Sequence, residues 1–279
     1  MTASATFKPT VQPRDFRIKP GSSVDLAAMK TKQSGDFAAS EDTQAELDYH
    51  RERIVAYQER LWAEHKQSLL VILQATDTGG KDGTIRHVFE GVNPQGVVVT
   101  SFKQPTAEEL DHDYLWRIHQ HTPGKGEIAI FNRSQYEDVL VVRVHDIVPK
   151  KVWKKRYEQI NAFEERLSET GTTIVKIFLH ISKEEQKERL QARLDDPDKR
   201  WKFNPSDLVD RGYWDAFQDA YTDMLEQCST DFAPWYVIPA DRKWYRNVVV
   251  AAIVADALEK MDPQFPKEVA GLDEIVIPD

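Results

Sequence analysis

Hydrophobic and polar positions along this 279-residue chain follow two alternating periods. Short, apolar and largely β-branched runs at residues 69–73, 97–100, 127–131, 172–179 and 235–238 predict strands. Between them the apolar residues recur at helical spacing. Leu47, Ile54, Leu61 and Trp62 mark one face of an amphipathic helix over 42–65, and Ile85, Val88 and Phe89 begin another directly after Gly83. Thr106 with Glu109 three residues on forms a capping box for a helix predicted to reach about Gln120. Pro149 opens a helix with Trp153, Tyr157, Ile160 and Leu167 on one face, and Gly171 closes it. Residues 212–227 and 244–258 read as the last helices, the latter with Val248, Ala252, Ala255 and Leu258 inward. Strands alternating with helices of this length predict an α/β fold. Its mostly parallel sheet is covered on both faces, with ligands beyond the carboxyl ends of the strands.

Three segments follow from the same pattern: an extended arm over 1–42 that wraps the body or a neighbouring subunit, a main domain over 43–260, and a tail over 261–279. A highly charged stretch over 183–211 interrupts the main domain. The net charge of -9 argues against a nucleic-acid coat protein but leaves room for a local basic channel. A single cysteine, Cys228, excludes an internal disulfide and suits a reducing compartment. No apolar run has membrane-spanning length and the first residues lack the apolar core of a secretion signal, so the cytoplasm is the expected location.

Candidate chemistry concentrates between the first strand and the Ile85 helix, in Ala75-Thr76-Asp77-Thr78-Gly79-Gly80-Lys81-Asp82-Gly83-Thr84. Such a glycine-rich turn can aim backbone N–H groups and a helix N-terminus at a phosphate, with Lys81 over the outer oxygens. It departs from the standard nucleotide loop at two places: Ala75 replaces the first glycine and Asp82 the magnesium-binding hydroxyl. The bland alternative is a βα turn closed by glycines. Asp77 would repel phosphate unless a cation or acceptor hydroxyl lay between them, which points to Mg²⁺ or to the attacking oxygen; the alternative is an Asx turn at Gly79. Asp82 supports magnesium through water or is simply an acid in a first helical turn. Thr84 and Arg86 are further phosphate candidates.

The loop, together with GTIRHVFEGVNP, SFKQPT, DYLWRIHQ, IFNRSQYEDVLVVRVH and RLDDPDKRWKF, resembles the second family of polyphosphate kinases from about Thr43 to Leu258. The resemblance implies a P-loop kinase-like three-layer sandwich with a helical lid over about 183–211. It implies Mg²⁺-dependent, reversible phosphoryl transfer from inorganic polyphosphate to adenine or guanine nucleotides, with Mn²⁺ as an alternative ion. Asp77, Lys81 and Arg133 are the expected catalytic residues, and Asp77, with Asp82 second, the expected metal ligand. Thr78, Gly79, Gly80, Asp82, Gly83, Thr84 and the lid residues Arg189, Arg193, Lys199 and Arg200 are expected phosphate contacts. Lys103, Asn132 and Glu137 are expected on the nucleotide side. The broader family commonly has aspartate where this chain has Asn132; asparagine is similar to the class III branch, which accepts both AMP and ADP. No nucleic-acid or membrane partner is implied, and a homodimer or homotetramer is.

Several of these residues keep plainer readings. Arg133 is a bidentate phosphoryl clamp or a surface ion pair, and Glu137 selects the acceptor or caps a helix. Arg189 and Arg193 share a helix face, as a basic cover or a solvated surface. Lys150, Lys151, Lys154, Lys155 and Arg156 line a polyphosphate entry or merely solvate their helix. Two rival functions remain at this point: an ATP-dependent nucleotide or nucleoside kinase, and a nucleotide-binding switch without turnover.

Overall fold

The computed structural model describes residues 7–278; the first six residues of the expected arm and the last of the expected tail lie outside the described residues. Its strands are β1 (Ser68–Ala75), β2 (Val97–Ser101), β3 (Ile128–Asn132), β4 (Thr172–His180) and β5 (Trp235–Pro239), paired in the order β2-β3-β1-β4-β5. Every pairing is parallel. The helices are α1 (Gln44–Glu64), α2 (Lys81–Val88), α3 (Ala107–Asp111), α4 (Trp116–His119), α5 (Val141–Val144), α6 (Lys150–Glu169), α7 (Lys183–Asp195), α8 (Ser206–Gly212), α9 (Trp214–Cys228) and α10 (Lys243–Met261).

β1 is the centre of the sheet and is buried at all of its positions. Because successive strand side chains face opposite ways, Leu69, Val71 and Leu73 enter one core while Leu70 and Ile72 enter the other. The first core is filled by Ile54 and Leu61 of α1 and by Val248, Val249 and Ala252 of α10. The second takes Ile160 and Leu167 of α6 with Phe217 and Tyr221 of α9. The expected three layers follow directly from this two-sided burial.

One predicted helix is broken in two. The capping box is present, with Glu109 N donating to Thr106 Oγ1 at 3.2 Å and Thr106 N to Glu109 Oε2 at 2.7 Å, but α3 stops at Asp111. Asp113 then accepts from Leu115 N at 3.0 Å, a local side-chain bond that competes with the helix and restarts the chain as α4. Arg117 of α4 turns to Glu109 and to the Lys103 carbonyl.

The arm lies on the body. Ile18 N donates to Trp235 O at 2.8 Å and Arg17 bridges Tyr236 in antiparallel fashion, so the arm covers the free edge of β5. Val11, Ile18, Val24 and Leu26 are buried. Glu46 of α1 anchors it, accepting from Thr10 N, Thr10 Oγ1 and Val11 N at 2.8–3.0 Å. Burial opposes ionisation of Glu46, but His50 and these hydrogen bonds outweigh it and hold the carboxyl down at about 2. Among the described residues no helix is long and apolar enough to cross a membrane.

Glu46→Gln should therefore loosen the arm, costing about 1–3 kcal/mol in urea unfolding and exposing residues before α1 to proteolysis. The carboxylate's contribution is fully present above its ordinary value of 4.5 and is lost as pH falls towards about 2, so the stability gap between wild type and variant should shrink on acidification.

Candidate active site

At the carboxyl end of β1 the chain makes a tight turn into α2. Gly79 N donates to Thr76 O at 3.0 Å, Thr78 stands at φ 62° and Gly80 at φ 101°. A β-branched residue in the left-handed region is strained, and such strain concentrates at functional turns. The Thr76 and Thr78 hydroxyls are buried without a partner. Gly80 gives α2 no side-chain cap, leaving the first N–H groups of the helix for an anion. A Cβ on Gly79 would overlap Ala75 and the Thr76 carbonyl, which explains the glycine there. Thr84, by contrast, turns its hydroxyl back to Gly80 O at 3.1 Å and is fully buried.

Lys81 is partly buried, with Nζ 3.3 Å from Ala75 O. Desolvation, and then the charge of Arg133, pull its pKa down to about 8 against the opposing effect of Asp77, Glu137 and Asp82. The neighbouring strand supplies those groups. Arg133, just past β3, is held at φ 64° with its N–H on Leu73 O at 3.1 Å. Its guanidinium bridges two acids, Asp77 through Nη2 and Glu137 through Nη1 at 3.0 Å. Glu137 above all, and Asp77 after burial is overcome, push Arg133 above the ordinary arginine range, so it stays charged. Asn132 donates to Asp82 at 2.6 Å, joining the same two segments a second time.

The 133–137 turn rests on a buried polar network. Lys176 of β4, fully buried, donates to Glu164 at 2.5 Å, Tyr136 OH at 2.8 Å and Cys228 O at 2.6 Å. Gln135 and Tyr136 in turn donate to Glu164 Oε1 at 2.9 and 2.7 Å. Removing one member of such a pair would strand a buried charge at a cost of about 3–5 kcal/mol. Glu137 thus emerges from a turn whose neighbouring residues are fixed.

The expected lid residues separate into two groups. Arg189 is buried and spends all its donors on protein: Glu185 at 2.7 Å, Thr78 O at 3.0 Å, Gly79 O at 3.2 Å, Ala240 O at 2.6 Å and Asp241 O at 3.1 Å. It fastens the loop to the chain after β5. Gln186 adds a bond to Asp77 O at 3.3 Å. Arg193, Lys199 and Arg200 form no hydrogen bond to the loop; they are engaged by Asp207, Asp196 and the Leu194 carbonyl. Trp201 is 78% exposed, with the Lys202 ammonium 5.0 Å from the centre of its ring. Asp207 faces the site from α8, and burial, then the negative charge of Asp77, lift it to about 6. Lys103 is exposed just past β2, next to Phe102, whose N–H is on Asn132 O at 3.1 Å. It lies on the same sheet edge as the loop.

Sequence reasoning missed Arg246, which packs against Gly80 and Gly83 from α10. The available signal was an arginine at the head of the apolar run NVVVAAIVADAL. It passed over Gln186 and Glu164 as well, since their roles depend on tertiary partners.

Gly80→Ala should all but abolish phosphate binding while leaving most of the fold intact. A Cβ there would fall inside the buried Arg246 guanidinium and would sit on a backbone that favours glycine. A titration of the folded variant with tripolyphosphate checks this; wild-type affinity would remove the close-packing argument.

Comparison with known proteins places this geometry. The sequence model for polyphosphate kinase 2 (PPK2) matches residues 38–266. A protein of Meiothermus ruber named AMP/ADP-polyphosphate phosphotransferase is 51% identical over 265 residues, covering 95% of this chain and 99% of that protein. An ADP-polyphosphate phosphotransferase of Rhodopseudomonas palustris is 42% identical over 92% of this chain and 93% of its own. The crystal structure of polyphosphate kinase 2 from Arthrobacter aurescens TC1 superposes with a TM-score of 0.92 at 43% identity, covering 97% of both chains. With a family model over residues 38–266 and with a sequence and a fold that match these relatives over nearly its whole length, the chain belongs to the polyphosphate kinase 2 family.

Proposed function

We propose that this protein transfers phosphoryl groups from inorganic polyphosphate to AMP and ADP, forming ADP and ATP, and that the reaction is reversible. The observation that carries the reading is the joining of the phosphate loop to the β3 turn through Arg133, which brings Asp77, Lys81 and Glu137 to one place. The relative named AMP/ADP-polyphosphate phosphotransferase supports the choice of acceptors.

The loop N–H groups, with the Thr76 and Thr78 hydroxyls, hold the phosphate chain. Lys81 and Arg133 neutralise the charge that spreads over the migrating group, the largest share of catalysis in phosphoryl transfer. Asp77 orients the acceptor oxygen, and Arg133 exchanges a carboxylate for phosphoryl oxygens as substrate enters. Glu137, Asn132 and Lys103 serve the nucleotide side. Lys199 and Arg200 close from a cover over residues 196–211, and Arg193 meets the phosphate chain from the end of α7.

Mg²⁺, with Mn²⁺ as a substitute, would be held by Asp77 and by Asp82 through water. Among the described residues no cluster of three or more His, Cys, Asp or Glu forms a protein-built metal cage. One or two loop carboxylates beside a phosphate site are the donor set suited to magnesium, which keeps waters and takes its remaining oxygens from substrate. When bound, the ion supplies further neutralisation of phosphate oxygens.

The direct experiment is conversion of AMP to ADP and ATP with Mg²⁺ and polyphosphate of defined length; transfer from ATP alone, with polyphosphate inert, would overturn the reading. Lys81 gives it a pH signature. Its charge is present below about 8 and lost above, so kcat/KM for polyphosphate should fall on the alkaline side with an apparent pKa near 8. Lys81→Arg should move that limb upward, and an unmoved limb would assign it to another group.

Glu137→Ala should change the KM values for AMP and ADP by about tenfold while shifting that for polyphosphate less than about twofold. Its carboxylate is partly exposed beside Arg133, on the far side of that residue from the loop acid Asp77. Steady-state kinetics with each substrate varied in turn checks this, and equal effects on donor and acceptor would assign Glu137 to holding Arg133 alone.

A further inference from the structure

Arg246, the fourth residue of α10, is buried to 2% exposure without an acid to balance it. Its Nε and Nη2 both donate to the neutral Asn247 side-chain oxygen, at 3.2 and 2.8 Å. Two acids around its neighbour Arg189 are occupied elsewhere. Asp241 accepts from Ser182 N at 2.9 Å and Thr31 Oγ1 at 2.7 Å, and Glu185 pairs with Arg189 at 2.7 Å. Among the described residues Arg246 forms no ion pair.

What it does touch is the back of the phosphate loop. The guanidinium fills the place where a Gly80 side chain would stand, and Nη2 is 3.5 Å from the corresponding point on Gly83. Arg189 Nη1 lies 3.6 Å from the same Gly80 position, so two guanidinium groups crowd one glycine. Lys243, one helical turn earlier on α10, adds a third cation, its pKa lowered by burial and then by both arginines. Burial, and then Arg189, likewise pull Arg246 down to about 9.

A desolvated, unpaired charge destabilises a folded protein, and a like-charged neighbour adds to that cost. The remaining counter-charge is one that comes and goes: an anion seated on the other side of the same thin glycine backbone. Glycine at positions 80 and 83 is what lets the guanidinium approach so near.

We propose that Arg246 is a positioning residue for the phosphate chain, a buried cation behind the Gly80–Gly83 backbone that has an inorganic phosphate chain in the loop as its counter-ion. It acts through the loop and does not touch the reacting atoms. The ligand-free protein carries the electrostatic cost and the bound anion relieves it, so chain binding and fold stability are linked. Naming the chain as polyphosphate rests on the phosphotransfer reading; the site itself calls only for linked phosphates.

The test compares Arg246→Met, Arg246→Gln and Arg246→Lys in the full chain. Tripolyphosphate affinity is measured by calorimetry without nucleotide, thermal unfolding with and without that ligand, and KM for polyphosphate and ADP separately. Met and Gln should leave the ligand-free melting temperature equal to or above wild type. They should weaken tripolyphosphate by about tenfold and cut the ligand-induced rise in melting temperature accordingly. KM should rise for polyphosphate and stay within about twofold for ADP. Lys, which keeps the charge, should recover part of the affinity. Unchanged tripolyphosphate affinity in a folded neutral variant overturns the proposal, as does a Lys variant no better than Met. Failure of both neutral variants to fold overturns it too, because the charge would then be required by the fold and not by the ligand. A wild type that bound tripolyphosphate yet formed no ATP would sink the phosphotransfer reading, while the same affinities still decided the role of Arg246.

Discussion

β1 and β3 pair in parallel from Leu69 opposite Ile128 to Leu73 opposite Asn132, and the chemistry depends on that register. The pairing brings together a loop and a turn that are 56 residues apart between Asp77 and Arg133. It continues one step past the strand, where Arg133 N reaches Leu73 O at 3.1 Å before the chain swings through a left-handed φ of 64°. A slip of one residue would send each β3 side chain to the opposite face, and Arg133 could no longer bridge Asp77 and Glu137. Both faces of β1 are dry, so the hydrophobic cores themselves forbid the slip.

On this frame the charges are sorted by how they are balanced. The whole chain is acidic at -9, yet the loop region gathers Lys81, Arg133, Arg189 and Arg246. Arg133 is held between two carboxylates and Arg189 is consumed by carbonyls and Glu185, which makes each a rigid strut. Lys81 and Arg246 are the cations whose burial outweighs their counter-charges, and both are pulled down in pKa as a result. A site prepared in this way favours a multiply charged anion, because the field is already in place before the ligand arrives.

Much of this was legible in the sequence. All five strands and the two-sided core could be read from the apolar runs, because a central parallel strand has no polar side to disguise it. The loop was legible too, since a βα turn with two glycines and a lysine leaves a local trace. The break between α3 and α4 was not: the decisive bond runs from the Asp113 side chain to Leu115 N and competes with a helix that the periodicity alone favours. Arg189 was legible as a basic residue but not as a fastening of the glycine-rich loop, since four of its five partners are backbone carbonyls that carry no sequence signature. Arg246 was hidden for the opposite reason. Its meaning lies in the acids that are absent around it, which only the tertiary packing reveals.

The bonding of α7 limits what a cover over the site can be. The base of α7 is capped by Ser182, tied to Asp241 through Ser182 N at 2.9 Å, and bonded to the loop through Gln186 and Arg189. Moving that part would pull Thr78 and Gly79 with it and deform the glycine-rich turn that the proposed lid would cover. Beyond Leu190, the last buried apolar residue of α7, the restraints thin out: Leu194, Trp201, Leu208 and Val209 are exposed. The ties that remain are the ion pairs Arg193 to Asp207 at 3.4 Å and His145 to Asp210 at 2.7 Å, and the bonds of Arg211 to Lys183 O at 2.7 Å and Gln186 Oε1 at 2.9 Å. The Asp196-Pro197 pair ends α7 at this boundary, where proline cannot continue the helix. The part of the proposed lid without hydrogen bonds to the loop is therefore the 196–211 stretch, with α7 as its root. Burial, then the charge of Asp77, raise Asp207 to about 6, which makes its carboxylate a weakly held partner for Arg193. A phosphate chain offers that arginine a denser negative charge than Asp207 does, and exchange of one for the other would free the 196–211 stretch from one of its ties to α7.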